Sequence, residues 1–278
     1  MNTTTLAEAL TLTPRDGVLT ATLHPEFSNA PQAVDPLKGA PFGGLMAALA
    51  GEAAREGLGV VAPIRSLTIQ YLAAARFEEV GFTPALLRGG RNLTYATASG
   101  GQDGRAAVQA LITFGRDVAG PELRPMGPVP ASPDDFDTQP MDAAFGPWFT
   151  RHIEHRFPNG HGLFGQNAGK AVELGCWMRC IDGRPLDEAR LLFLLDGLYP
   201  TYFTAFEGPP AISASVDLRA DLLAPLTPAT SPQGWAYFHF VSRDVGGGWA
   251  VEDGTAQAPD GAALALVRQR RRIMPTRG

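Results

Sequence analysis

The sequence predicts an α+β fold built twice, each time a long antiparallel sheet wrapped round one central apolar helix. Three observations carry this. A strand, a helix and a meander of strands follow one another in that order in each half. Matched features recur at a near-constant offset, 149 residues from Ser66 to Ser215 and 157 between the Asp-Gly turns at Asp103 and Asp260. Between the halves, Arg116 to Trp148 carries Pro121, Pro125, Pro128, Pro130, Pro133, Pro140 and Pro147. Proline fixes φ and removes a donor, so this stretch reads as an extended linker. The expected domains are 1–115 and 151–278, joined by a linker over 116–150.

In the first half, Val18 to Leu23 alternates as a strand, and Ala40-Pro-Phe-Gly-Gly44 leads into a helix over Leu45 to Glu56, rich in Ala, Leu and Met and ended by Gly57. Arg65 to Tyr71 alternates with Leu67, Ile69 and Tyr71 on one face. Pro84 to Leu87 and Thr94 to Ser99 read as further strands, and Gln102-Asp-Gly-Arg105 turns into Ala106 to Phe114, Asp-Gly suiting the positive φ angles of a tight hairpin. The second half repeats this with a strand at Val172 to Ile181. Asp187 to Phe206 then reads as a helix with almost no polar face, buried all round. Strands follow at Ser213 to Ala220 and Trp235 to Ser242, then a bend at Gly246-Gly-Gly-Trp249, and Pro259-Asp-Gly261 turns into Ala262 to Ile273. The two sheets are expected to join edge to edge, with the linker over the surface.

Composition narrows the function. In 278 residues, 45% are hydrophobic and 18% charged, which excludes a disordered chain. A net charge of -5 gives no global attraction to nucleic acid or anionic membrane. Two cysteines, Cys176 and Cys180, are too few for a disulfide framework, and Met1 to Leu10 lacks the pattern of a signal peptide. The apolar run from Gly43 to Gly51 stops at Glu52, short of a membrane span. A soluble, cytoplasmic protein is expected.

Asp196 is the most informative residue. It sits among the apolar neighbours Leu191 to Leu198, where burying a carboxylate costs several kcal/mol, order of magnitude, unless it is bonded. The plainer reading is a helix-terminal Asp that caps or reaches solvent beside Gly197. Only the second half places a carboxylate there, since the residue 19 positions before Ser66 is Ala47. Ser215 lies on a strand whose Val216, Leu218 and Ala220 take the opposite face, so alternation groups its hydroxyl with Asp217 and Arg219. Alternation puts Gln269 with Ala265 and Val267 on one face and Leu264, Leu266 and Arg268 on the other; the period alone leaves open which face is buried.

The ordered set of Phe42-Gly-Gly44, Arg65-Ser-Leu-Thr-Ile-Gln-Tyr71, Gly90-Arg-Asn-Leu93, Leu194-Leu-Asp-Gly197, Ser215-Val-Asp-Leu218, Gly246-Gly-Gly-Trp249 and Leu266-Val-Arg-Gln269 resembles the acyl-CoA thioesterase family with two fused hotdog domains, similar to acyl-CoA thioesterase II. The resemblance implies a double hotdog that hydrolyses acyl-CoA thioesters with an activated water held by Asp196, Ser215 and Gln269. It departs at Ser215, where that pattern prefers Thr, which keeps a hydroxyl but loses the β-branch. It also implies a homodimer or larger oligomer. No cofactor or metal is expected. Gly43 and Gly44, or the entry to the second helix, are candidates for substrate contact and oxyanion donation through backbone N–H groups. A covalent route through Asp196 is the mechanistic alternative. Activity is expected to reside in the second half, with the first half supplying substrate walls.

Other clusters read more plainly. His152, His155 and His161, with Glu154, match no zinc template and read as a solvated segment. Cys176 and Cys180 fall on an apolar strand face as core residues. Arg268, Arg270, Arg271 and Arg272 read as a solvated edge strand, or as a contact for the phosphates of a CoA nucleotide. Two rival functions remain: a hotdog hydratase or dehydratase, which needs an Asp and a His in one site, and a non-catalytic acyl-CoA binding protein, which has no use for a buried carboxylate.

Overall fold

The computed structural model describes residues 4–123, 128–139, 141, 144–158, 164–165, 171–208 and 212–274. The first half runs through α1 (Leu6–Ala9), β1 (Thr13–Arg15), β2 (Val18–Thr22), α2 (Gly43–Leu58), β3 (Ile64–Tyr71), β4 (Glu79–Gly89), β5 (Leu93–Gln102) and β6 (Arg105–Gly115). The second half runs through β7 (Ile153–Arg156), β8 (Glu173–Cys180), α3 (Glu188–Leu194), β9 (Ile212–Leu222), β10 (Ala236–Gly246), β11 (Trp249–Gln257) and β12 (Ala263–Met274). All twelve strands form one sheet in the order β1-β2-β4-β5-β6-β3-β9-β12-β11-β10-β8-β7. Reading inward from each side, β2-β4-β5-β6-β3 and β8-β10-β11-β12-β9 are the same order. They meet where β3 pairs antiparallel with β9, Ile69 opposite Leu218.

Helices α2 and α3 lie on one face of this sheet and pack against each other in a core that runs across the junction. Ala-rich α2 is buried from Gly44 to Ala54 except at Glu52, because small side chains let it lie close to the strands. It extends one residue beyond the expected stop at Gly57, to Leu58, and Gly57 lies so close to Pro84 that a Cβ there would sit 2.4 Å from the Pro84 ring. Gly59, at φ 62°, ends it in the left-handed region. Pro84 lies beyond the β2 pairing, which covers Glu79 to Phe82, and stands opposite Ala98 of β5. The Asp103-Gly104 turn has both φ angles positive, 49° and 74°, as a two-residue hairpin demands.

Four expectations are corrected. The second helix is short: α3 ends at Leu194 with Leu195 as cap, and Gly197 and Pro200 divert the chain into a 3-10 turn over Thr201–Ala205. β12 is an interior strand between β9 and β11 rather than an edge, and Arg271 on it is 7% exposed. His152 and His155 are buried, not solvated, His152 stacking on Phe27 at 3.9 Å; His161 lies outside the described residues. The bend at Gly246 is a complete hairpin into β11, which pairs with β10 from Trp249 to Gln257. Pro125 and Pro140 of the linker also lie outside the described residues. Its neighbours pack on the outer sheet face, Val129 and Phe136 against Trp177, Trp235 and Tyr237.

One ladder row crosses the junction and positions the site. Ala98, Ala110, Ile69, Leu218, Gln269 and Glu252 stand side by side on β5, β6, β3, β9, β12 and β11. Directly opposed residues of an antiparallel ladder point to the same face. All six are buried, so three apolar residues of the first half mirror a leucine, an amide and a carboxylate of the second.

Candidate active site

The turn after α3 delivers Asp196 to the sheet, 7% exposed. Gln269 is fully buried on the face of Ala265 and Val267, which settles the alternation left open by the sequence. Its Nε2 donates to Asp196 Oδ1 at 2.6 Å and to Ser215 Oγ at 2.7 Å. The three residues therefore converge through one amide.

Ser215 reaches them because of a β-bulge that alternation could not show. Arg270 opposes Asp217 and Arg271 opposes Ser215, leaving Val216 as an extra residue on β9. The bulge reverses the side-chain parity beyond it, so Ser215 shares the inner face with Leu218 and Ala220 rather than with Asp217 and Arg219. This corrects the expected grouping.

Two further side chains belong to the site. Arg271 lies two residues beyond Gln269 on the same face. It donates from Nε to Glu252 Oε1 at 2.6 Å and from Nη2 to Gln269 Oε1 at 2.6 Å, with Nη2 3.6 Å from Asp196 Oδ1 and Nη1 3.4 Å from Ser215 Oγ. Glu252, 4% exposed, also accepts the Thr201 backbone N–H at 3.0 Å. Both follow from the strand period once Gln269 faces inward, because Glu252 is its partner on β11 and Arg271 is its i+2 neighbour.

The first half closes the site. The N-terminus of α2 abuts Asp196 so tightly that a Cβ on Gly43 would lie 2.6 Å from Asp196 Oδ2, and one on Gly44 would lie 2.4 Å from the Phe193 carbonyl. The Gly44 N–H bonds the Asp196 carboxylate, and the Tyr71 hydroxyl donates to the Gly43 carbonyl at 3.0 Å. The entry to α3 is at the far end of that helix, about 10 Å away at 1.5 Å per residue, with Asp187 capping the Arg190 N–H there. Only the α2 entry adjoins the carboxylate.

Burial pushes the Asp196 carboxyl above its ordinary range, while Arg271, the Gln269 amide and the Gly44 N–H pull it back. A carboxylate so placed accepts a proton more readily than a solvated one. Burial also raises the Tyr71 phenol, the nearby Asp196 charge adding to it, so Tyr71 stays neutral. The thiols of Cys176 and Cys180 are buried on the inner face of β8 and pushed upward, which makes them unreactive. Among the described residues no cluster of three His, Cys, Asp or Glu side chains could hold a metal ion. A cavity of about 1010 Å³ bounded by Pro121, Val129, Tyr237, His239 and Leu266 lies beneath the linker on the outer side of the second half, away from Asp196.

Comparison with known proteins fits this geometry. A family profile described as the acyl-CoA thioesterase N-terminal domain matches residues 30–115, and one described as the acyl-CoA thioesterase C-terminal domain matches 131–271. The chain belongs to the acyl-CoA thioesterase family. Solved structures place its fold among the hotdogs. A conserved protein of unknown function with hotdog fold from Alicyclobacillus acidocaldarius is 20% identical at TM-score 0.84, with 98% of each chain covered. Acyl-CoA thioesterase II TesB2 from Mycobacterium marinum is 18% identical at TM-score 0.75, also with 98% of each covered. A tesB protein from Mycobacterium avium subspecies paratuberculosis is 19% identical at TM-score 0.75, covering 97% of this chain and 98% of that one. No curated protein matches the sequence. At these identities the structural likeness establishes the α+β hotdog fold of this family member. None of its described helices is long and apolar enough to cross a membrane.

Proposed function

We propose that this chain hydrolyses acyl-CoA thioesters to the free acid and CoA, with Asp196 as general base toward a water that Ser215 and Gln269 orient. The observation that carries this reading is the Gln269 amide, which ties a buried carboxylate to a hydroxyl at 2.6 and 2.7 Å. Asp196 takes a proton as the water oxygen attacks the thioester carbonyl. The tetrahedral oxyanion collapses, the C–S bond breaks, and the CoA thiolate receives the proton. The first-turn amides of α2, at the positive end of its dipole, are the donors placed to meet the developing oxyanion. A hydratase would need a histidine to share the carboxylate's role, and His155 instead directs Nε2 toward the Gly197 carbonyl at 3.4 Å. The reading carries with it a cytoplasmic location and a homo-oligomer, and light scattering on purified protein tests the second.

Thiol release from acyl-CoAs of graded length is the direct assay. Asp196→Asn should fold and lose turnover by about a hundredfold or more, the worth of a general base. Because burial raises its carboxyl, ionised Asp196 costs stability at neutral pH, so the variant should melt no lower than the parent at pH 7. Parental turnover in Asp196→Asn would overturn the mechanism.

A further inference from the structure

We propose that Arg271 is a positioning residue of this reaction, its guanidinium fixing the Gln269 amide with nitrogen toward Asp196 and Ser215 and balancing the Asp196 charge. The inference rests on the hydrolytic reading and adds a residue to it.

Donors and acceptors fix the amide. A guanidinium has five N–H donors and no acceptor, and a carboxylate only accepts. Gln269 lies between one of each: Oε1 faces Arg271 Nη2 at 2.6 Å and Nε2 faces Asp196 Oδ1 at 2.6 Å. Rotating the amide by half a turn would oppose donor to donor at one end and acceptor to acceptor at the other. The orientation is thus set twice over. With its nitrogen held, Gln269 gives one amide hydrogen to Asp196 and the other to Ser215, so it acts on the water through Ser215, whose Oγ keeps its own hydrogen to donate.

Arg271 is itself held from behind. Its Nε meets Glu252 Oε1 at 2.6 Å, and Glu252 is anchored by the Thr201 backbone N–H at 3.0 Å. A relay therefore runs from Thr201 of the 3-10 turn through Glu252, Arg271 and Gln269 to Asp196, every member 7% exposed or less. In so dry a cluster, charge is felt strongly. The groups that face Asp196 are Arg271 on β12, Glu252 on β11, Tyr71 on β3 with Asp217 of β9 beyond it, the Gly44 N–H of α2, and His155 of β7 at the Gly197 carbonyl; Tyr202 adjoins Arg271 and Glu252. Arg271 is the cation of this set. Without it two carboxylates would share one buried site, an arrangement that drives protons onto carboxylates. The sites of the first-half ladder have no such need, because Ala98 and Ala110 stand where Glu252 and Gln269 stand in the second half.

Three variants, Arg271→Met, Arg271→Lys and Glu252→Gln, separate orientation from charge. Each is measured for kcat and KM on one acyl-CoA from pH 5 to 9. In parallel, the Asp196 carboxyl carbon is titrated by NMR, its signal identified by its loss in Asp196→Asn. Arg271→Met should lower kcat by about tenfold or more with KM little changed, and should move the acidic limb of kcat/KM upward by about one pH unit. Arg271→Lys keeps the charge but not the planar fork, so its limb should stay near the parent's while kcat falls. Glu252→Gln leaves Arg271 to Asp196 alone and should move the limb downward. The carboxyl titration should shift in the same directions. A purely structural Arg271 would give lower melting temperatures with unshifted limbs and unshifted titrations, and that result would overturn the proposal. If Arg271→Met fails to fold, the other two variants decide: a downward limb in Glu252→Gln beside an unmoved limb with lower kcat in Arg271→Lys supports the proposal, and an unmoved limb in Glu252→Gln overturns it. If the parent hydrolyses no acyl-CoA, the hydrolytic reading fails while the carboxyl titration still decides whether Arg271 balances Asp196.

Discussion

Ser215 has its lone pairs engaged by Gln269 and Arg271 and one hydrogen left to give. Its predicted task is to donate that hydrogen to the attacking water or to the substrate. Ser215→Ala should therefore cost about tenfold in turnover, the worth of one hydrogen bond of about 1 to 1.5 kcal/mol. Ser66, opposite Asp221 on the seam and five residues along β3 from Tyr71, should tolerate alanine without loss. Steady-state kinetics on the two variants decides, and equal damage would mean that both halves carry chemistry. Asp196 was legible in the sequence because a carboxylate inside a leucine run demands an explanation. Arg271 and Glu252 were not. A run of four arginines within five residues looks solvated until one knows which parity faces inward, and that parity was fixed only when Gln269 was seen on the face of Ala265 and Val267.

At the scale of elements, α2 matters less as a helix than as a wall. Its first residue stands so close to the carboxylate that Gly43→Ala must displace Asp196 Oδ2 or the Tyr71 ring. The variant should fold with a melting temperature near the parent's yet lose turnover by tenfold or more, a combination that circular dichroism and kinetics test together. The 3-10 turn Trp148–His152 makes a different prediction. Burial lowers His152 from its ordinary value to about 4, so it is neutral in the native state. Its contribution is complete above about pH 6.5 and is lost as pH falls toward 4, by up to about 3 kcal/mol. His152→Phe keeps the stack on Phe27 and removes the proton, so its melting temperature should fall less than the parent's between pH 7 and 4.5. Equal slopes would place the acid sensitivity elsewhere. The elements themselves were readable from period and turn chemistry, as at Gln102-Asp-Gly-Arg105. What resisted was local geometry that tertiary packing selects: the Val216 bulge, which changes no residue type, and the length of α3, where apolar composition hid the stop signals Gly197 and Pro200.

For the molecule as a whole, the ladder row through Ile69 and Leu218 sets two versions of one position side by side. On one side it ends in two alanines, on the other in an amide and a carboxylate. Yet the polar side draws on Gly43, Gly44 and Tyr71 from its neighbour, so among the described residues the proposed site is built once, from both halves. One binding event per chain is the expected stoichiometry. A non-hydrolysable thioether analogue of an acyl-CoA, titrated calorimetrically into the purified chain, should saturate at one equivalent per polypeptide whatever the oligomeric state. A second equivalent of equal affinity would mean that the alanine side of the row also binds thioester.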